Sequence, residues 1–187
     1  MALTALDLKT ALIIVDLQKG IVGQPVAHSI GNIVQRSRAL ADAFRARSLP
    51  VVLVTVTGVA PGRTEQPTRN FSTLPADFAA LVPELGQQEG DILLQKQSWG
   101  AFATTDLDAQ LKALGVTQVV ITGVATGVGV EATARQAYEQ GFNVTLATDA
   151  MTDVRAEAHE YSICTVFPRL GESGSTAEIL AILKRND

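Results

Sequence analysis

The chain has 187 residues, of which 47% are apolar and 18% charged, with a net charge of −4 at pH 7. That length predicts one domain, residues 1–187, large enough to bury about 70% of the unfolded chain's surface without a disulfide or metal staple. A lone Cys164, no leader-like N-terminal pattern, no long uncharged apolar run and no clustered basic face predict a cytoplasmic protein with neither membrane nor nucleic acid among its partners.

Short β-branched runs alternate with helical patterns along the chain, which predicts a parallel sheet covered by helices on both faces. The first run is 11–15 (ALIIV). Ile30, Ile33, Val34, Leu40, Ala41 and Phe44 then recur at helical spacing behind Ser29, a candidate N-cap. The second run is Val51–Val56 (VVLVTV), and the third and weakest is 92–94. A helix over 106–114 follows Thr105 as cap and stops at Gly115. The fourth run, 119–122 (VVIT), leads through a glycine-rich turn into a helix over 130–140 that stops at Gly141. Both closing glycines suit a left-handed C′ position. A fifth run, 144–147 (VTLA), and helical patterns over 156–167 and 175–184 complete the layers.

The segment 57–75 carries Pro61, Pro67 and Pro75 with Arg63, Glu65 and Arg69 between them. A loop of that length inside a compact domain is either a solvated excursion or a lid, and in the second case Arg63 or Arg69 would meet an anionic substrate group.

Ligands of open α/β sheets bind beyond the carboxyl ends of the strands, so the residues there are the candidates for chemistry. The first strand runs directly into Asp16. Partial burial at the rim would disfavour its charged form and make it a useful proton carrier. Lys96 follows the third strand, with Trp99 and Phe102 close behind as candidate pocket wall. The fourth strand ends in GVATGVG, 123–129, before a helix. Such a turn offers backbone N–H groups to a carboxylate, phosphate or oxyanion. Gly127, Gly129 and Ala132 also spell G-x-G-x-x-A with Asp149 beyond, which keeps a nucleotide-binding module as a remote alternative.

Asp16 after a first strand, Lys96 in a K-x-x-x-x-A-F context and the stretch GVATGVGVEATARQAYEQGF together resemble the isochorismatase-like (cysteine hydrolase) superfamily, and ATDAMTD after the fifth run extends the likeness. The resemblance implies a Rossmann-like, three-layer α/β/α fold with a six-stranded parallel sheet of order 3-2-1-4-5-6, a small-molecule substrate and a homodimer or homotetramer. It implies Asp16 as catalytic acid/base and Lys96 as its partner. It further implies a non-proline cis peptide between Val124 and Ala125, with the N–H groups of Ala125 and Gly129 as an oxyanion hole.

In the amidohydrolase members the position of Gly129 holds the nucleophilic cysteine, so this chain resembles a short-form subgroup with Gly in its place. Covalent catalysis needs an activated sulfur that a glycine cannot supply. The metal-binding D-x-H-x-x-x-H pattern of nicotinamidases has no counterpart, and His28 and His159, the two histidines, lie far apart in sequence. No cofactor and no metal are expected. Glycine at this position is the state of true isochorismatases, in which an acid protonates a vinyl ether and water attacks the resulting cation. The expectation is therefore a hydrolase of a small, anionic molecule acting through Asp16 and Lys96, with Thr126 as a group that could orient water. The alternative is a catalytically silent binding protein. Cys164, within the helical stretch holding Ile163, Val166 and Phe167, is expected to pack as a small apolar residue.

Overall fold

The computed structural model describes residues 3–185. Six strands form one parallel sheet: β1 (Thr10–Val15), β2 (Val51–Val56), β3 (Ile92–Lys96), β4 (Gln118–Val124), β5 (Asn143–Thr152) and β6 (Glu172–Gly174). Their spatial order is β3-β2-β1-β4-β5-β6, as expected. The longer helices are α2 (Ile30–Arg45), α3 (Leu107–Ala113), α4 (Glu131–Glu139), α5 (Ala156–Tyr161) and α6 (Thr176–Arg185), and a single turn, α1 (Lys19–Val22), follows β1.

The period of two along β1 shows why helices must cover both faces. Ala11, Ile13 and Val15 point into one core with Leu107 and Leu111 of α3 and Ala134 and Ala137 of α4. Leu12 and Ile14 point into the other, with Ile33, Leu40 and Phe44 of α2 and Ile179 and Leu183 of α6. Every residue of β1 and β4 is buried, the pattern of central parallel strands. β3, at the sheet edge, alternates in exposure instead.

β1 has β2 on one side and β4 on the other, so the chain's winding reverses between β1 and β4. A crevice opens there at the carboxyl ends, where ligands bind in such sheets. Gly123 makes the close approach possible. Its φ is +120°, and a Cβ there would collide with the carbonyl of Val15, so the two strand ends meet only because this residue has no side chain.

Several local expectations are corrected. β3 runs two residues further than 92–94, so that Lys96 is its last residue rather than part of a loop. Ser29 sits at the N-cap of α2 but makes no side-chain cap bond, and the N-cap of α3 is Asp106 rather than Thr105, although the Thr105 hydroxyl accepts from Leu107 N at 3.2 Å. The helix expected over 130–140 is preceded by a π-helical turn, Thr126–Val130. The one expected over 156–167 is α5 followed by a second π-helical turn, Ser162–Val166. That turn buries Ser162 and Val166 and leaves Cys164 between them. Cys164 is exposed, not packed. Gly115 and Gly141 have φ of +71° and +90° after α3 and α4. Segment 57–75 holds one short 3-10 turn, Phe71–Thr73, and is otherwise irregular. No helix among the described residues is long and apolar enough to cross a membrane.

Candidate active site

β1 delivers Asp16 to the crevice with φ of +54°, a conformation that Asp tolerates better than most residues. Its backbone N–H donates to Val54 O of β2 at 2.9 Å, which ties the turn to the sheet. Lys96, at the end of β3, reaches across β2 to the same point and is 1% exposed. Its Nζ donates to Asp16 Oδ2 at 2.8 Å, to Trp99 O at 2.8 Å and to Ser98 O at 3.2 Å. An ammonium has three donors, so all are committed. Lys96 therefore anchors both the carboxylate and the backbone that carries Trp99.

The other carboxylate oxygen, Asp16 Oδ1, is buried without a hydrogen-bond partner. Burial pushes the Asp16 pKa up to about 6, against the opposing pull of Lys96. Gly129, within the π-helical turn, lies beside this carboxylate. A Cβ there would sit 3.2 Å from Asp16 Oδ2, 3.1 Å from Val15 Cγ1 and 3.3 Å from Val124 O. The Val124–Ala125 peptide bond is cis. Asp16, Lys96, Val124, Ala125 and Gly129 thus share one wall of a cavity of about 300 Å³. That volume is at the low end for small-molecule sites.

Of the other residues singled out from sequence, Trp99 and Arg69 line the same cavity. Three do not. Phe102, read as pocket wall, is buried against Phe142 with ring centroids 5.9 Å apart, inside the core beneath α3 and α4. Arg63 is exposed in the 57–75 segment and lines neither this cavity nor the neighbouring groove. The Thr126 hydroxyl is buried and lies 2.8 Å from His159 Nδ1, so it is engaged in the interior rather than with water in the cavity. Sequence reasoning missed Gln24, Phe71, Val128 and Val154, which are also part of the lining. An apolar Val128 inside a glycine-rich loop was the one signal available.

His28 and His159, distant in sequence, stand with ring centroids 4.6 Å apart. Their Nδ1 atoms face the Thr152 and Thr126 hydroxyls. Burial, with His28 second, holds His159 below the usual imidazole pKa. Among the described residues no group of three or more His, Cys, Asp or Glu side chains is placed to hold a metal.

The features that suggested a dinucleotide site are otherwise engaged. Gly127 N donates to Asp153 Oδ2 at 2.7 Å, so a protein carboxylate occupies the anion-binding place at the turn. Asp149 accepts from the N and Oγ1 of Thr176 at 2.7 and 2.8 Å, capping α6 rather than facing a ribose. Cys164 lies outside the cavity, 4.0 Å from Glu160 Oε2. Cys164→Ser is expected to leave turnover within twofold of the parent in a steady-state assay, and a folded but inactive variant would show that the thiol takes part.

Comparison with known proteins identifies the family and agrees with the fold. The isochorismatase domain model matches residues 10–178. The uncharacterized isochorismatase family protein YwoC of Bacillus subtilis is 42% identical over 182 residues, covering 94% of this chain and 95% of that protein. The structure of an isochorismatase family protein from Burkholderia thailandensis superposes with a TM-score of 0.91 at 38% identity, covering 96% of this chain and 98% of that one. The ureidoacrylate amidohydrolase RutB of Stutzerimonas stutzeri is 40% identical over 92 residues, 47% of this chain and 37% of that protein. A family match running from β1 into α6, together with a relative aligned over nearly its whole length, places this chain in the isochorismatase family of hydrolases.

Proposed function

We propose that this family member hydrolyses a small, anionic molecule by non-covalent acid/base chemistry, with Asp16 as the proton carrier and Lys96 as the cation that holds it. The observation that carries this reading is the buried, unpartnered Asp16 Oδ1 beside a glycine at position 129. A carboxyl with a pKa pushed up to about 6 can both give and take a proton near neutrality. Among the described residues no sulfur lines the cavity beside it to attack an acyl group.

An enol ether fits these groups. Asp16 in its protonated form gives its proton to the terminal carbon of the C=C–O unit, and the C=C electrons form the new C–H bond. Water adds to the oxygen-stabilised cation that results and returns a proton to Asp16. The hemiketal then collapses, breaking the C–O bond to release an alcohol and a carbonyl compound. That water would come from the cavity, which Gly129 lines beside Asp16 without a side chain to block the approach. The backbone N–H groups of Ala125 and Gly129, residues of the cavity lining, would hold the departing oxygen as the hemiketal C–O bond breaks and the hydroxyl proton passes to it, and Arg69 supplies a cation for the substrate's anionic group.

Asp16 must be protonated to act as the acid. With a pKa of about 6, its fraction protonated is full well below pH 6 and falls tenfold per unit above it. The kcat/KM of an enol-ether substrate is therefore expected to fall with unit slope above about pH 6, and a profile flat from pH 5 to 8 would remove Asp16 from the acid role. A screen of enol ethers, amides and ureides tests the reaction class. Release of alcohol and carbonyl product from an enol ether is the expected result. Turnover confined to amides or ureides would overturn the reaction. Saturable binding without turnover of any class would instead identify a binding protein that has lost hydrolytic chemistry.

A further inference from the structure

We infer that the substrate is a monoanion with an apolar body, its single charge seated at Arg69 and its body on the valines and Trp99 around the cavity mouth. This inference rests on the acid/base reading of the same site, and it follows from how charge and apolar surface are distributed there. With Asp16 ionised, as it is for the most part at pH 7.5, two of the three charged residues lining the cavity, Asp16 and Lys96, neutralise each other. The third is Arg69. Among the described residues no carboxylate pairs with it. Its guanidinium instead lies over the Phe78 ring, 5.5 Å from the centroid, and Phe78 meets Phe71 edge-on at 5.6 Å.

Phe78 is itself fixed. Its carbonyl accepts from Gly20 N at 3.0 Å and from the Gln18 amide at 3.2 Å. The cation thus stands on an aromatic support rooted next to Asp16, preordered yet not neutralised. Glu65 lines the outer groove together with Arg69. A second negative group extending from the cavity into that groove would meet this carboxylate, while one turned inward would meet apolar walls. A dianion is disfavoured either way.

The apolar half of the inference comes from exposure. Val59, Trp99, Val128 and Val154 are 42%, 65%, 37% and 61% exposed, and all four line this one cavity. They make up four of the nine exposed large apolar residues among the described ones, a concentration that marks a binding surface rather than scattered surface hydrophobics. Trp99 is held in place through its carbonyl, which accepts from Lys96 Nζ, so the apolar platform and the proton carrier are positioned by the same lysine.

Calorimetric titration at pH 7.5 with four probes tests this without turnover: (E)-cinnamate, its neutral amide, the dianion 4-carboxycinnamate, and propionate, which carries the charge without the body. Cinnamate is expected to bind at least tenfold tighter than each of the other three. Arg69→Gln should bring cinnamate to the level of the amide and leave the amide unchanged, and Trp99→Ala should weaken cinnamate and the amide alike. Equal affinity for cinnamate and its amide, tighter binding of the dianion, or an unchanged preference in Arg69→Gln would overturn the inference. So would failure of all four to bind, with Trp99→Ala lowering the oligomeric state, which would assign the apolar ring to contact between copies of the chain. Because the readout is binding, such a failure leaves the acid/base chemistry of Asp16 to be judged by its own assays.

Discussion

Asp16→Asn is expected to lower kcat/KM for an enol-ether substrate by about 10²–10⁴-fold, the range that a positioned general acid contributes. Little else should change. Asn, like Asp, tolerates the left-handed backbone found here, φ +54°, better than most residues with a side chain. Its amide oxygen can take the place of Asp16 Oδ2 as acceptor for Lys96 Nζ, a bond now 2.8 Å long. What an amide cannot do is carry a proton to carbon and recover it from water. Retained turnover in a variant with the parent's circular dichroism would remove Asp16 from the chemistry. Loss of turnover with ligand binding intact is the outcome that separates catalysis from occupancy of the cavity.

The second large effect falls on stability. Lys96→Met fills the space of the lysine stem but leaves Asp16 buried without its counter-charge, and breaking a buried pair in this way costs about 3–5 kcal/mol. For a chain of this size that corresponds to a fall in Tm of roughly 6–20 °C. The loss should depend on pH in a defined direction. Asp16 is already shifted to about 6 by burial, with Lys96 the opposing influence. Removing Lys96 raises it further. A buried carboxyl whose folded pKa lies above the unfolded value of 3.8 favours the folded state below that value, and the benefit is lost as pH rises through the folded pKa. The Tm gap between parent and variant is therefore expected to be widest near pH 7.5 and to narrow towards pH 5, where Asp16 is neutral. A gap independent of pH would mean that lost packing, not an unpaired charge, sets the cost.

Much of the fold was legible because parallel strands buried on both faces leave a strong imprint. ALIIV and VVLVTV can be little else when helical patterns lie between them. β6 left no comparable trace. Its three residues, Glu172–Gly174, lack β-branched side chains, and its place in the sheet comes from pairing with β5. The two π-helical turns were equally silent, since one extra residue in a turn shifts which side chains face inward without changing composition. That shift is why Cys164 emerges at the surface.

In the site, Asp16, Lys96 and Gly129 were legible as a constellation because strand ends are few and the motif order is specific. The geometry that gives them meaning was not. That Lys96 uses all three donors, and that one oxygen of Asp16 is left without a partner, depends on approach across β2 from a strand at the sheet edge. Phe102 misled because an aromatic next to a site residue serves a core as readily as a pocket, and α4 supplies the core that claims it. Thr126 misled because its partner, His159, lies 33 residues away. Arg69 and Arg63 were indistinguishable in sequence. Phe78, folded back beneath the loop through its bonds to Gln18 and Gly20, is what selects Arg69.

The most direct test of the account is the titration of the Asp16 side-chain carboxyl itself, read by 13C NMR on the intact protein with selectively labelled aspartate and assigned by comparison with Asp16→Asn. It needs no substrate and observes the proton on which the mechanism depends. A midpoint near 6 is the predicted result, and a midpoint near the ordinary value of 3.8 would contradict the assignment of Asp16 as the proton carrier.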